Sequence, residues 1–318
     1  MADGRGGAVR PRLVLILSEN WTLVPARDLR ALVRLAVVAE KAGFDAVMVS
    51  EHVALGHGAD AGGVPENPRD YALPGNQDPS TPWPDPLTLL AAVASATSRL
   101  RLVGSSIIAP LRHPLLLAKQ LATLDLLSEG RLVIQPTVSW HRPEYEALGV
   151  PFERRGELLD EHLAAWRALW QESPASFEGR HYRFAEVSLE PKPFREQGPT
   201  LWFGGETVHD RLLRRLVEYG NGFKPLGTPS DEDLERLRSA MAAAGRDHAE
   251  LEMVGGTRGR FADADGVADL GEALASIPAQ LERGFTTICI KPSQFIDDPD
   301  EIGRFCRDVV KRLDTLVH

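Results

Sequence analysis

The residues best able to do chemistry stand just after apolar runs. His52 follows Phe44–Val49, with Glu51 immediately before it. Imidazole titrates near neutral pH, so His52 is the candidate general acid or base, and Glu51 beside it is the second catalytic candidate. A histidine held by Glu51 for structure alone is the competing reading. His113 and His141 follow two later apolar runs and are candidates to line a substrate pocket, although His113-Pro114 also suits a plain helix start. Three such histidines could suggest a metal. No paired H-x-H follows the first run, however, and no tight carboxylate cluster replaces it, so no metal is expected. Trp21, Trp83 and Trp140 offer apolar walls to a hydrophobic or aromatic substrate; for Trp83, plain packing under a long loop is the favoured reading. Gly204-Gly205, ahead of a helix from about Thr207, exposes backbone N–H groups to an anion. A tight turn would need those glycines anyway, and Glu206 must point away for an anion to bind.

The elements that would position these residues alternate regularly. Leu13–Leu17 reads as a strand ending at Ser18, Glu19, Asn20 and Trp21. Asp28–Ala42 reads as a helix with Leu29, Leu32, Val33, Ala36 and Val37 on one stripe and Gly43 as its stop. Phe44–Val49 is the second strand. Ala54–Pro84 is rich in Gly, Pro, Asn and Asp and reads as a lid or binding loop, with a disordered loop as the alternative. Asp85 caps the next helix. Arg99–Ala109, a helix opened by His113-Pro114, and Leu132–Val138 then form a βαβ unit, with Gly130 placed as a C-cap. This unit brings Ser105, Ser106, Arg112, His113, Thr137, Ser139, Trp140 and His141 to strand ends. Gly156–Trp170 is an amphipathic helix, and Ser176–Pro193 a small hairpin. Leu201–Phe203, Asn221–Lys224, Leu251–Phe261 and Phe285–Lys291 read as the remaining strands. Helices over Ser230–Ala244, Val267–Arg283 and Pro299–Leu316 separate and close them.

Eight strand–helix units with no linker predict a (β/α)8 barrel over 1–318 as one domain, with 1–11 as a flexible tail. An open doubly wound sheet is the rival, but no G-x-G-x-x-G follows the first strand. A net charge of −9 argues against nucleic-acid binding. No apolar run is long enough to span a membrane, and the first residues show no signal peptide. Cys289 and Cys306 both suit core positions in a reducing cytoplasm.

Several segments together resemble the bacterial luciferase-like superfamily of flavin- and deazaflavin-dependent (β/α)8 oxidoreductases. They are GFDAVMVSEH, DPLTLLAAVASATSRLRL, PLRHPLLLAKQLATLDLLSEGRL, EYEALGVPFERRGELLDE, and LWFGGE followed by YGNGF. The nearest branch uses coenzyme F420, an 8-hydroxy-5-deazaflavin. The resemblance implies that His52 lies beside the reacting ring carbon. It also implies that Ser105, Ser106 and Ile107 form a bulge, often with a non-proline cis peptide, that buttresses the ring, and that Gly204, Gly205 and Thr207 hold the coenzyme phosphate. Thr137, Ser139 and Trp140 would flank the coenzyme. The chain departs from the family after its fourth strand, where Gln135, Thr137 and Ser139 replace a G-x-G-x-G pattern. Trp140 stands where some deazaflavin enzymes carry a catalytic Glu. The function so implied is hydride transfer between F420 and a hydrophobic organic substrate, by a cytoplasmic homodimer. The alternatives are an FMN-dependent monooxygenase and a barrel that binds a ligand or works without a cofactor.

Overall fold

The computed structural model describes residues 10–317. Arg10 already reaches the carbonyl of Gly43 and the carboxylate of Asp45, and Pro11 is buried. The tail expected over 1–11 therefore does not extend to these two residues; the rest of it, 1–9, lies outside the described residues.

The chain runs β1 (Arg12–Ile16), α1 (Leu29–Ala42), β2 (Ala46–Val49), α2 (Pro86–Ala96), β3 (Arg101–Ile108), α3 (Pro114–Leu127) and β4 (Leu132–Thr137). Then come α4 (Arg142–Ala147), α5 (Arg155–Gln171), the antiparallel pair β5 (Ala175–Glu178) and β6 (Arg183–Val187), β7 (Thr200–Phe203), α6 (Asp210–Tyr219) and β8 (Gly222–Phe223). It ends with α7 (Asp231–Ala243), β9 (Glu252–Gly256), α8 (Leu270–Leu274), α9 (Ile277–Glu282), β10 (Thr287–Ile290) and α10 (Ile302–Val317). Eight parallel strands close in the order β1-β10-β9-β8-β7-β4-β3-β2, with β5 and β6 as the expected hairpin outside the barrel.

The barrel strands are apolar on both faces because alternate residues serve different layers. Val14, Ile16, Ala46, Met48, Val103, Val133, Trp202, Val254 and Cys289 fill the interior. Their neighbours Leu13, Leu15, Val47, Leu102, Ile134 and Ile288 pack outward under the helices. Cys306 joins that outer layer, so both cysteines are core residues. On α5, Leu159, Leu163, Trp166 and Trp170 are all buried. The two indoles stack at 5.6 Å, and each donates 3.2 Å to a carbonyl of α3, Trp166 to Pro114 and Trp170 to Ala118. Truncating either to Ala costs about 3–5 kcal/mol.

Four expectations shift. The buried face of α1 is Leu32, Leu35, Ala36 and Ala39, and Leu29 is exposed. Val267–Arg283 is two helices, α8 and α9, with Pro278 in the first turn of the second. α3 is capped at Ser128, and Gly130 turns the chain beyond it at φ +77°. α6 begins at Asp210 rather than Thr207, because the Nδ1 of His209 takes the capping N–H of Leu212. Gly43 and Asp85 cap their helices as expected.

The loop between β2 and α2 holds no helix or strand, yet it is tied across the C-terminal mouth of the barrel. At one end, the Gly56 N–H donates to His141 Nε2 at 2.7 Å. At the other, Asn67 donates to the carbonyls of Asp263 and Gly266, Arg69 pairs with Asp297 and Asp70 with Arg258. The Tyr71 ring packs on the interior layer, and its hydroxyl donates to the Thr257 carbonyl. These contacts hold the loop, hereafter the lid, over the mouth.

Candidate active site

β2 and β3 run side by side, Val49 opposite Gly104, so the residues just beyond them share one part of the mouth. Glu51 turns away from His52. It accepts from the Ile108 N–H at 2.7 Å and from both terminal nitrogens of Arg112, one at 3.0 Å, and Arg112 also reaches Asp85. The competing reading, a Glu51–His52 bond, is not what forms; Glu51 holds the end of β3 and, through Arg112, the Asp85 cap of α2.

His52 has another partner. Its Nδ1 lies 2.6 Å from Oε1 of Glu144, which is buried on α4 and also accepts from the Val53 N–H at 2.9 Å. A carboxylate only accepts, so Nδ1 carries a proton; in the neutral ring Nε2 is then the nitrogen with the lone pair. Nε2 makes no hydrogen bond among the described residues. Trp83 and Trp140 approach the imidazole edge-on, with centroids 5.1 and 5.9 Å away, and His141 lies at 6.4 Å. The Trp83 indole N–H is buried without a partner. This aromatic enclosure includes three of the expected site residues besides His52. Trp21 instead packs against the outer core, and His113 caps α3 by accepting from Leu115 N–H while its ring meets Tyr182.

The β3 bulge implied by the resemblance is present. The Ser105–Ser106 peptide is cis, and the pairing with β4 shifts register between Ser105 and Ile107. Opposite it, the Gln135 side chain is tied into the wall, accepting from Ser105 Oγ at 2.5 Å and donating to the Lys224 carbonyl at 3.3 Å. Ser139 takes φ +56°, the backbone region a glycine adopts freely, and its hydroxyl accepts from the His141 N–H. Gln135 and Ser139, two of the three residues that replace the glycine pattern, are thus used internally, Ser139 in glycine-like backbone.

Gly204 and Gly205 differ in kind. A Cβ on Gly204 would lie 1.6 Å from the Lys224 carbonyl oxygen, so backbone packing alone requires glycine there. At Gly205 a Cβ would meet nothing closer than 3.7 Å. The N–H groups of Gly205, Glu206 and Thr207 make no hydrogen bond among the described residues, and Glu206 and Thr207 are exposed. With the bulge, the unpartnered Trp83 N–H and this open backbone, the mouth fits a planar coenzyme bearing a phosphate. A cavity of about 890 Å³ opens farther round, between the lid and the segment after β9, lined by residues including Asn67, Asp70, Arg258, Phe261 and Gln280. Among the described residues no group of three or more His, Cys, Asp or Glu is placed to hold a metal, and no helix is long and apolar enough to cross a membrane.

Sequence reasoning missed α4 and with it Glu144. The helix is only six residues long, but Pro143 in its first turn, Glu144 beside it and Gly149 just past its end at φ +67° were visible signals.

The chain is thus a parallel (β/α)8 barrel with a histidine–carboxylate pair at its mouth and a bulged third strand. The pattern of the luciferase-like monooxygenase family matches residues 12–275, and the chain belongs to that family, whose members are oxidoreductase and monooxygenase enzymes. An uncharacterized protein of Mycobacterium tuberculosis, Rv0953c, is 33% identical over 240 residues, 74% of this chain and 79% of the relative. The FMNH(2)-dependent dimethylsulfone monooxygenase of Pseudomonas putida is 27% identical over 258 residues, 79% of this chain and 64% of that enzyme. Among solved structures, the monooxygenase RslO1 of Streptomyces bottropensis has a TM-score of 0.71 at 22% identity, covering 96% of this chain and all of that one (100%). An F420-dependent secondary alcohol dehydrogenase also has a TM-score of 0.71, at 16% identity, covering 98% and 100%. These two likenesses establish the shared barrel.

Proposed function

We propose that the protein transfers a hydride between the deazaflavin coenzyme F420 and a hydrophobic organic substrate, with His52 as acid/base. The observation that carries this reading is the His52–Glu144 pair, its free Nε2 enclosed by Trp83 and Trp140 next to the Ser105–Ile107 bulge. When bound, the deazaflavin supplies a ring carbon that gives or takes a hydride. In this reading Ser105, Ser106 and Ile107 support the ring, and Thr137, Ser139 and Trp140 border it. The N–H groups at Gly205 and Thr207, with Gly204 keeping the backbone close, receive the phosphate. His52 Nε2 takes a proton from a substrate hydroxyl or, in the reverse direction, returns one to the oxygen. Trp83, Trp140 and His141 exclude water around it, which strengthens the Glu144–imidazole interaction. The enzyme in this reading is a cytoplasmic homodimer acting on a small organic molecule.

A second reading, an FMN-dependent monooxygenase, is supported by the name of the Pseudomonas putida relative. Turnover separates the two. Purified protein is mixed with reduced F420 and a panel of hydrophobic carbonyl compounds, following return of the oxidised coenzyme's absorbance. A parallel arm supplies reduced FMN and oxygen and detects oxygenated product. Reoxidation that depends on substrate in the first arm supports the proposal; product only in the second replaces it. Turnover in neither arm favours a ligand-binding or cofactor-free barrel.

A further inference from the structure

Three arginines on α6 have no part in the reading so far. Arg211, Arg214 and Arg215 all turn to one carboxylate, Asp160 of α5, with guanidinium nitrogens 3.7, 3.0 and 2.7 Å from its oxygens. Arg215 is structural. It is buried, and it spends a second donor on the Gly156 carbonyl at 2.8 Å, clamping α6 to the first turn of α5. The Arg214 side chain keeps one bond to Asp160 and is 61% exposed. That of Arg211, 46% exposed, makes no hydrogen bond among the described residues. Its guanidinium lies across Gly156, where a side chain would collide with it.

Three guanidiniums gathered on one carboxylate repel one another. Burial holds Arg215 below the ordinary arginine value, and the charges of Arg211 and Arg214 press the same way against Asp160. Neighbouring acids bring little relief, since Asp210 is matched by Arg236, and Glu157 by Arg180 and His181. Arg154, just ahead of α5, is exposed and makes no ion pair among the described residues. Against these cations the loop between β7 and α6 offers only Glu206. In a chain of net charge −9, this part of the rim is locally positive.

Place matters as much as charge. β7 ends at Phe203 and α6 begins at Asp210, so the first turn of α6 stands at the barrel mouth, directly behind the open N–H groups of Gly205 and Thr207. The loop packs on that turn: the side chain nearest to a Cβ at Gly205 is that of Leu212, at 3.9 Å, and Leu212 adjoins Arg211. Arg214 follows on the same face of the helix, about one turn on.

We propose that Arg211 and Arg214 bind the carboxylates that F420 carries beyond its phosphate. Resting on the deazaflavin reading, this gives the protein a means of telling two coenzymes apart. FMN ends at its phosphate, whereas F420 continues into a lactyl and glutamyl chain. A guanidinium matches a carboxylate in two-point geometry, and Arg211 has its donors free. The positive rim also draws an anionic chain toward the mouth.

The test compares F420 with the deazaflavin 5′-phosphate, which has the same ring and phosphate but no carboxylates. Each is titrated into the purified protein by ring fluorescence at low salt. Wild type should bind F420 roughly 5–10-fold more tightly than the shorter compound. Raising salt from about 0.02 M to about 0.5 M should close most of that gap. Arg211→Gln with Arg214→Gln should abolish the gap while leaving affinity for the deazaflavin 5′-phosphate unchanged, which also shows that the fold and the phosphate loop are intact. Arg211→Gln alone, which breaks no hydrogen bond, should narrow it, and Arg211→Lys should keep most of it. Arg304→Gln with Arg312→Gln, which removes the same charge from α10, should leave it unchanged. Equal wild-type affinities, a gap that survives the Arg211/Arg214 double variant, or the same loss in the α10 variant would overturn the proposal and leave the hydride-transfer reading standing. Binding of neither compound would overturn both.

Discussion

His52 Nδ1 and Glu144 Oε1 meet at 2.6 Å although 92 positions separate the two residues. The bond joins the end of β2 to a short helix beyond β4 and fixes which imidazole nitrogen carries the proton. It also places the buried Glu144 four residues beyond Trp140, on the same side of the mouth as the imidazole.

His52→Ala is expected to lower turnover by roughly 10²–10⁴-fold while coenzyme affinity stays near wild type. Glu144→Gln should lower turnover by about 10–100-fold, since the ring loses a hydrogen bond to a charged partner. Because the two act as a unit, the double variant should be little worse than His52→Ala alone. Steady-state kinetics on all three, with coenzyme binding measured in parallel, checks this. An unchanged rate in His52→Ala removes it from the mechanism.

Acid stability should depend on the opposite end of the barrel. Burial raises the Glu252 carboxyl, but Arg101 at 2.8 Å, Thr287 at 2.5 Å and Arg12 lower it more, leaving it below the ordinary 4.5. A carboxyl depressed on folding stabilises above its unfolded value and loses that contribution as pH falls through the folded one. Thermal melts should therefore drop as pH falls from about 4.5 downward, and Glu252→Gln should be less stable at neutral pH with a shallower acid decline. Parallel acid profiles for the two proteins would show that the Arg101 pair contributes nothing.

The lid should loosen at acid pH. His141 Nε2 accepts the Gly56 N–H, which an imidazolium cannot do. Burial, with the charges of His52 and His57, holds His141 below 6.5 despite Glu144. A histidine depressed on folding stabilises above its unfolded value, so this contribution falls as pH drops below 6.5 toward the folded value. Hydrogen exchange around Gly56, corrected for its intrinsic pH dependence, should show less protection at about pH 5.5 than at about pH 7.5. In His141→Ala the two should coincide; a persisting difference assigns it elsewhere.

The barrel was legible in the chain because its strands are covered on both faces and its helices carry stripes of the right period. Trp166 and Trp170 on α5 and Ile302, Phe305, Val309 and Leu313 on α10 are buried as their spacing predicts. Partner choice was not legible. Glu51 and His52 are adjacent, but the strand end sends them opposite ways, one to Arg112 and the other to Glu144. Spacing along a chain carries no record of contacts made across a barrel mouth.

Gly204 and Gly205 should separate packing from binding. Gly204→Ala forces a Cβ against the Lys224 carbonyl and should cost about 3 kcal/mol or more. Gly205→Ala has room and should cost less than about 1 kcal/mol. Thermal or urea unfolding of each checks the contrast. Equal costs would mean that the close approach at Gly204 relaxes freely.

The most direct measurement is an equilibrium titration of the purified protein with F420 and, separately, with FMN, following coenzyme absorbance and fluorescence. The account predicts saturable binding of F420 at micromolar concentrations, tighter than FMN, and the same affinity in His52→Ala. Binding of FMN alone would transfer the site to the flavin reading, and binding of neither would contradict a flavin-type coenzyme at the Ser105–Ile107 bulge altogether.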